Sequence, residues 1–420
     1  MSLIHWFSTP SSSQSIDKRN FVYVQIDAIG VGLAASANPF LPIFLTRLEA
    51  SSLEVGLLTA MPAVTGLLLA IPIGRFLQKQ RNIIPWFSFS RLGVIVCYAL
   101  TGLAGFLIPL EALTRSILVI WAIATIPQTI LAITFSVVMN SVAGPEGRFE
   151  LMTRRWSLLG ITTTLTVFAI GQVLKLIIFP LNYQLVFLGV SLGGLISFYF
   201  SSHIRIPDFD PVIFPSVKSI RARIVAYLQP IFQEKAFISF LARRFVFMFG
   251  ITLAAPLLPL YYVRQVHASD AAISIINVAQ SAVLVIGYFL WTSVSRKKST
   301  RIVLLLATLG LAINPFLISL TLDTRWLTFY AALAGIFQGG VDLVFFDELM
   351  KTIPVKYCAT FVSFAQSTQY LSAIIAPLIG TLLGDTFSLS IALIISAGIR
   401  LAGFFLFLLG SRKTATVAMA

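Results

Sequence analysis

Long apolar runs dominate this sequence and restrict it to very few folds. Twelve runs are long enough to cross a bilayer as helices, since a spanning helix needs about 20 predominantly apolar residues. We number them spans 1 to 12, and they cover 20–46, 52–77, 83–108, 115–142, 150–178, 181–202, 236–263, 269–294, 301–321, 326–350, 357–384 and 387–410. A bilayer core offers no hydrogen-bond partner to an open backbone. The sequence therefore predicts an all-α membrane protein with twelve transmembrane helices.

The composition excludes an ordinary soluble protein. Only 11% of the residues are charged and 57% are hydrophobic, whereas soluble domains carry about 25% charged residues. The net charge of +14 would suggest nucleic acid only if the basic residues formed a face with base-reading or stacking groups. They form short clusters between the spans instead. We therefore expect membrane lipid around the protein and no nucleic-acid partner.

The basic clusters also predict the orientation of the chain. Twenty-three Lys and Arg residues near span ends fall on the side of the two termini, and five fall on the opposite side. Lys and Arg concentrate in the cytoplasmic loops of membrane proteins. We therefore expect a multi-pass protein of the cell membrane with both termini in the cytoplasm.

Two proline-rich stretches indicate an internal repeat. NPFLPIFLTR ends span 1 and APLLPLYYVR ends span 7, so that Pro39 and Pro42 recur 217 positions later as Pro256 and Pro259. This offset predicts two six-helix halves in the same orientation. Parallel repeats of this kind place a substrate site between the halves, near the middle of the membrane.

The repeat sets the predicted domain boundaries. They are a cytoplasmic tail at 1–19, a six-helix bundle at 20–202, a basic cytoplasmic linker at 203–235, a second six-helix bundle at 236–410 and a cytoplasmic tail at 411–420. Within the linker, VKSIRARIVAYLQPIF alternates basic and apolar residues at near-helical spacing. That pattern is typical of a helix lying on a membrane surface.

Six plus six helices joined by a long basic loop resemble the major facilitator superfamily, over nearly the whole chain. The superfamily's Gly-x-x-x-Asp-Arg-x-Gly-Arg pattern between spans 2 and 3 reads GRFLQKQRN here, with Gln78 in the place of the Asp. The Gly-Pro pair that its drug antiporters carry in span 5 is absent from ITTTLTVFAIG. The resemblance implies a transporter, but not one of the drug–proton exchangers.

Ionisable residues inside the spans are the main candidates for function. A charge at the centre of a membrane helix costs about 3 kcal/mol or more, so it normally faces a cavity or a partner. The candidates are Asp27, Arg91, Arg154, Arg155, Arg243, Arg244, Asp342 and Arg400. By the resemblance, spans 1, 4, 7 and 10 line the transport path, which favours Asp27, Arg243 or Arg244, and Asp342. We expect Arg91 and Arg400, on peripheral spans, to extend toward the lipid headgroups.

The repeat also suggests a partner for Asp27. Arg244 lies 217 positions later, and Arg155 is the alternative partner. If the partner withdrew in one access state, Asp27 could bind a proton on one side of the membrane and release it on the other. The competing interpretation is a buried ion pair within one bundle that only tolerates its burial.

Uncharged polar residues on the path-lining spans are candidate solute contacts. They are Gln25 and Asn38 in span 1, Gln128 in span 4 and Gln338 in span 10. The alternative is that they form helix–helix hydrogen bonds, which are worth about 0.6 kcal/mol on average.

No catalytic machinery is visible in the sequence. It contains no Walker A pattern, no HExxH and no metal-ligand cluster, and Cys97 and Cys358 are its only cysteines. The G-x-S-x-G match at Gly189–Gly193 lies inside span 6 with no strand before it, which excludes a nucleophile elbow. We therefore expect neither an enzyme nor a bound metal or cofactor.

Two functions remain open at this point. The first is a secondary active transporter that moves a small solute by alternating access, with or without protons as the coupled ion. The second is an assembly factor, delivery factor or passive facilitator that keeps the fold without ion coupling. The embedded acids favour the first, and the departure at Gln78 favours the second. We expect a monomer in either case.

Overall fold

The computed structural model describes residues 18–38, 40–48, 50, 52–209, 228–268 and 270–417. Pro39 and most of the surface helix predicted in the linker lie outside the described residues.

The described part of the chain is helical and contains no strand. The long helices are Lys18–Ala35, Phe40–Arg47, Ser52–Gln78, Ile84–Leu107, Leu110–Leu176, Leu181–Ser202, Lys235–Leu260, Asp270–Lys297, Thr300–Ser319, Thr324–Lys351, Cys358–Thr386 and Leu389–Val417, with a π-helical turn at Tyr261–Gln265 and a 3₁₀ turn at Val355–Tyr357. Ten helices in these ranges are long and apolar enough to cross a membrane. The prediction of an all-α membrane protein is confirmed.

The count of ten differs from twelve spans for two local reasons. Span 1 is divided into Lys18–Ala35 and Phe40–Arg47. Spans 4 and 5 run on as Leu110–Leu176, with a bend at Gly144, where φ is 62° and ψ is 175°. A positive φ is readily adopted only by glycine, and Pro145 after it disfavours helical geometry at the preceding residue. The bend therefore separates two spans that follow each other without a loop.

The chain divides into two compact units. The first comprises Met1–Phe214 and Pro354–Ser367, and the second comprises Pro215–Ile353 and Thr368–Ala420. The first unit thus contains spans 1 to 6, together with the beginning of span 11. The second contains the remaining spans.

Within the first unit, span 1 packs against span 6, and span 3 packs against spans 4 and 6. One apolar core of this unit contains Phe44, Trp121 and Phe187. The Phe44 ring stacks on that of Tyr183, with 4.8 Å between the centroids. These contacts fix the inner faces of spans 1, 3 and 6.

The second unit repeats this pairing six spans later. Span 7 packs against span 12, and span 9 packs against spans 10 and 12. Spans 8 and 10 approach closely at Gly335, where a Cβ atom would meet Gln280 O and lie 3.0 Å from Leu284 N. The matching order of contacts inside each unit supports the internal repeat that the two proline-rich stretches predicted.

Candidate functional site

Asp27 is the centre of a buried charge cluster in the first unit. Its side chain is fully buried, and its Oδ2 lies 2.9 Å from Arg91 Nη2 and 3.5 Å from Arg155 Nη2. The Ser197 hydroxyl donates to Asp27 Oδ1 at 2.6 Å. Spans 1, 3, 5 and 6 each contribute one of these side chains. Both carboxylate oxygens are therefore occupied, and two guanidiniums surround one carboxylate.

Aromatic rings cover both guanidiniums. Arg91 Cζ lies 4.5 Å from the centroid of Phe87, and Arg155 Cζ lies 4.5 Å from that of Phe135. A guanidinium over a ring face gains a cation–π attraction that grows when water is excluded. The two rings thus help to stabilise the positive charges of the cluster inside the membrane.

The cluster corrects one prediction about an arginine. Arg91 does not extend toward headgroups, because it is only 5% exposed and is paired with Asp27. The sequence suggested Arg244 or Arg155 as the partner of Asp27, and within the first unit its ion-pair partners are Arg91 and Arg155. Within the second unit, Arg244 Nη2 donates to Gln369 Oε1 at 3.1 Å.

A cavity of about 350 Å³ adjoins the cluster inside the first unit. Arg91 and Ser197 belong to its wall, as do Asn38, Tyr98 and Gln128. The Tyr98 hydroxyl donates to Asn38 Oδ1. The structure therefore brings Asn38 and Gln128, two of the predicted solute contacts, to the same cavity as the charge cluster. Its volume is near the lower end of the roughly 300–1,000 Å³ of small-molecule pockets.

Gln25 lies near Asp27 in the sequence but apart from this cavity wall. It is fully buried, and neither its Oε1 nor its Nε2 has a hydrogen-bond partner among the described residues. Buried amides are normally hydrogen-bonded. Gln25 stays a predicted solute contact that the cavity geometry does not include.

Asp342 is the membrane-embedded acid of the second unit. Tyr288 donates its hydroxyl to Asp342 Oδ2 at 3.0 Å, and Gln338 donates its amide to Oδ1 at 2.6 Å. Within the described ranges, no Lys or Arg forms an ion pair with this carboxylate. Gln338, predicted as a solute contact, is thus a partner of Asp342. Both donors are neutral, so the charge of an ionised Asp342 is uncompensated.

Arg400 corrects a further prediction. It is only 4% exposed, and its Nη1 donates to the backbone carbonyl of Leu311 at 3.1 Å. Leu311 lies four residues before Pro315, inside the helix Thr300–Ser319. Proline has no N–H to donate to the carbonyl four residues earlier. Arg400 therefore supplies the hydrogen bond that Pro315 cannot supply, and it does not extend toward headgroups.

Gln78 retains a structural task despite its departure from the superfamily pattern. Within the first unit its Nε2 donates to Lys356 O at 2.6 Å, and its Oε1 accepts from the backbone N–H of Thr360 at 3.2 Å. The N–H groups in the first turn of a helix have no partner within the helix. Gln78 satisfies one of them at the start of Cys358–Thr386.

The sequence patterns missed or misassigned four residues of the charge cluster, the cavity and the Asp342 site: Arg91, Ser197, Tyr98 and Tyr288. Arg91 was detectable as a charge inside a span, but its span was assigned to the periphery. The other three are hydroxyl residues, which are common in membrane helices and carry no charge signal. In the residues that the structure covers, no group of three or more His, Cys, Asp or Glu is placed to hold a metal ion.

The two helical units and their embedded charges define a class, a multi-pass helical membrane protein. The family model described as Major Facilitator Superfamily matches residues 240–418. No curated protein matches the sequence. The resemblance to this superfamily is confirmed, and the chain has its fold.

Solved structures show the same fold over nearly the whole chain. The human organic anion transporter MFSD10 (TETRAN) has a TM-score of 0.74 at 14% identity, covering 94% of this chain and 100% of that one. A bacterial homologue of the iron transporter ferroportin, in an outward-facing state, has a TM-score of 0.73 at 14% identity, covering 95% and 100%. The E. coli fucose:proton symporter FucP has a TM-score of 0.70 at 14% identity, covering 92% and 97%.

Proposed function

We propose that this chain is a secondary active transporter that moves a small solute by alternating access, with Asp342 as the site where a coupled proton binds. The fold supports transport, because solute carriers of several kinds share it. The choice of Asp342 depends on the groups that surround it.

The observation that carries the proposal is that, among the residues the structure describes, Asp342 has only neutral donors, Tyr288 and Gln338. An ionised carboxylate inside a membrane is costly unless it is paired. Binding a proton removes that charge, and the hydroxyl of Tyr288 can then accept a hydrogen bond from the carboxylic acid. The same two neighbours therefore suit both protonation states, as a reversible proton site requires.

Asp27 is less suited to this task, which changes the hypothesis drawn from the sequence. Its carboxylate lies within 2.9 Å of Arg91 Nη2 and 3.5 Å of Arg155 Nη2. A proton on Asp27 would leave two buried guanidiniums without their carboxylate. Removing one partner from a buried ion pair is strongly unfavourable. We therefore infer that Asp27 stays ionised, as the permanent counter-charge of Arg91 and Arg155 in the first unit.

The alternative of an assembly or delivery factor loses its main support. It depended on the altered pattern at Gln78, and Gln78 still bonds to Lys356 and Thr360. A passive facilitator without ion coupling remains the competing function, and the following experiment distinguishes it.

The test uses the full chain in proteoliposomes with a panel of small solutes and an imposed pH gradient. We expect accumulation of at least one solute against its gradient. Asp342→Asn should abolish that accumulation and retain exchange of solute down its own gradient. Asp385→Asn is the matched control, because Asp385 is exposed at the end of span 11. If Asp342→Asn still accumulates solute with a pH gradient, Asp342 is not the coupling site. If the unaltered protein only equilibrates solutes, it is a facilitator.

We further propose that the protein acts as a monomer in the cell membrane, with both termini in the cytoplasm. The distribution of Lys and Arg supports this orientation. Cysteines introduced at Ser216 and Ser269 should react with an impermeant reagent from opposite sides. The native Cys97 and Cys358 are both buried, so they should contribute little background. Labelling of both positions from one side would contradict the orientation.

A further inference from the structure

We propose that the cavity of the first unit binds a small organic anion, with its anionic group against Arg91 and a polar group at its other end against Asn38 and Tyr98. The inference deepens the proposed function, on which it rests, because it names the charge class of the solute. It concerns the region enclosed by spans 1, 3, 4 and 6.

The charge of the cluster is the first argument. Arg91 and Arg155 face a single carboxylate, that of Asp27, and all three side chains are at most 5% exposed. Arginine stays protonated in proteins, so the cluster keeps one positive charge in excess. Arg91 belongs to the cavity wall, and its Nε has no partner among the described residues. An anion in the cavity would supply the missing negative charge and accept hydrogen bonds from a guanidinium.

The spacing of polar groups along the cavity is the second argument. Arg91 and Tyr98 lie seven residues apart on span 3, and both belong to the wall. At 1.5 Å per residue, their backbones are about 10 Å apart along the helix. Ser197 adjoins the Arg91 end through its bond to Asp27. Asn38 adjoins the Tyr98 end, where it accepts from the Tyr98 hydroxyl.

The remaining side chains of the cavity wall indicate the polarity of the middle of the ligand. Apolar side chains of spans 1, 3 and 4 line it, Val94 among them, and Gln128 adds one amide. A cavity of about 350 Å³ has room for a small molecule. The class that fits is an elongated monoanion with an apolar middle and a hydrogen-bonding far end. A cation of the same shape would meet the excess positive charge and should be excluded.

The test measures equilibrium binding to the purified full-length protein in detergent, with no gradient present. The probes are 4-hydroxybutanoate, 6-hydroxyhexanoate and 8-hydroxyoctanoate, each with its carboxamide and its amine analogue. We expect saturable thermal stabilisation by at least one carboxylate. The corresponding carboxamide should bind at least about tenfold more weakly, since hydrogen bonds to an ionised acceptor are roughly twice as strong as neutral ones. Its amine should not bind. If no carboxylate binds, or if the amide or amine binds as well as the acid, the inference is wrong.

Two matched valine variants locate the binding. Val94→Phe places a ring in the cavity and leaves the charge cluster intact, so it should abolish binding. Val96→Phe makes the same change two residues away, where Val96 is 45% exposed on the outer surface, and it should bind normally. Asn38→Leu serves as a second cavity variant if Val94→Phe does not fold, and it should weaken binding of the hydroxy acids because it removes a polar group at the far end of the cavity. Equal binding by all these variants would place the anion elsewhere.

The two proposals can fail separately. Loss of binding in detergent would overturn the anion site and leave the transport assay unaffected. Binding without any transport in proteoliposomes would retain the site and overturn the transport function.

Discussion

Asp27 of the first unit and Asp342 of the second both lie inside a membrane span, and the two are stabilised in opposite ways. Asp27 is surrounded by Arg91 and Arg155 and accepts from Ser197. In the described part of the chain, Asp342 accepts only from neutral donors, Tyr288 and Gln338. The same residue type therefore has two different roles, at a fully buried position for Asp27 and at a partly buried one for Asp342. Asp27 is required as an anion, whereas Asp342 can exist with or without its charge.

The buried arginines of the two units also differ in their partners. In the first unit, Arg91 and Arg155 share a carboxylate. In the second unit, Arg400 donates to a helix carbonyl and has no carboxylate partner among the residues described. Arg91 and Arg155 are thus compensated by an opposite charge, whereas Arg400 is compensated by a backbone dipole. A dipole stabilises a charge less than a counter-charge at the same distance does.

The largest expected effect comes from neutralising the two aspartates in turn. Asp27→Asn should destabilise the protein by about 3–5 kcal/mol, because it leaves buried guanidiniums without their carboxylate. Asp342→Asn should cost less than about 1 kcal/mol, because the amide replaces a carboxylate that has no counter-charge. Thermal unfolding in detergent measures both.

The order of these two values is the decisive outcome. Equal destabilisation by the two variants would show that the aspartates are held alike. A larger loss for Asp342→Asn would reverse the comparison and indicate a cation near Asp342.

A second prediction concerns Arg400, which donates to the carbonyl that Pro315 leaves without a backbone N–H partner. Arg400→Met should cost about 1–3 kcal/mol, the usual penalty for leaving a buried acceptor unsatisfied. Pro315→Ala restores an N–H that can reach the Leu311 carbonyl. The double variant should therefore be more stable than Arg400→Met alone. Additive effects of the two changes would mean that Arg400 does not substitute for the missing helix bond.

The helices were largely predictable from the sequence, because apolar length and charge placement determine where a chain can cross a membrane. Span 6 was predicted at 181–202, and the helix is Leu181–Ser202. The break within span 1 and the loop-free bend at Gly144 were not predicted. Each depends on the backbone angles of one or two residues, which an average over about 20 residues cannot detect.

The site was predictable residue by residue but not as an arrangement. Charges and amides inside apolar runs identified Asp27, Arg155, Asn38 and Gln128. Their meeting at one cluster and one cavity depends on the rotation of each helix about its axis, which these nearly uniform apolar runs do not encode. The role of Arg400 depended on a proline in another helix. The rule that proline leaves a carbonyl free was available from the sequence, but the helix that would supply the donor was not.

The smallest expected effect concerns the neutral donors of Asp342. Tyr288→Phe removes one of its two hydrogen bonds and should lower stability by about 1 kcal/mol. Tyr330→Phe is the control, since it makes the same change in the same unit at a hydroxyl that forms no hydrogen bond to a described residue, and it should stay within about 0.5 kcal/mol of the unaltered protein. In the transport assay, Tyr288→Phe should reduce proton-driven accumulation more than it reduces exchange, because the anionic form of Asp342 loses more from a missing donor than the protonated form does. If Tyr288→Phe changes accumulation and exchange equally, the hydroxyl serves packing and not the proton site, and the contrast between the two aspartates would then depend on Gln338 alone.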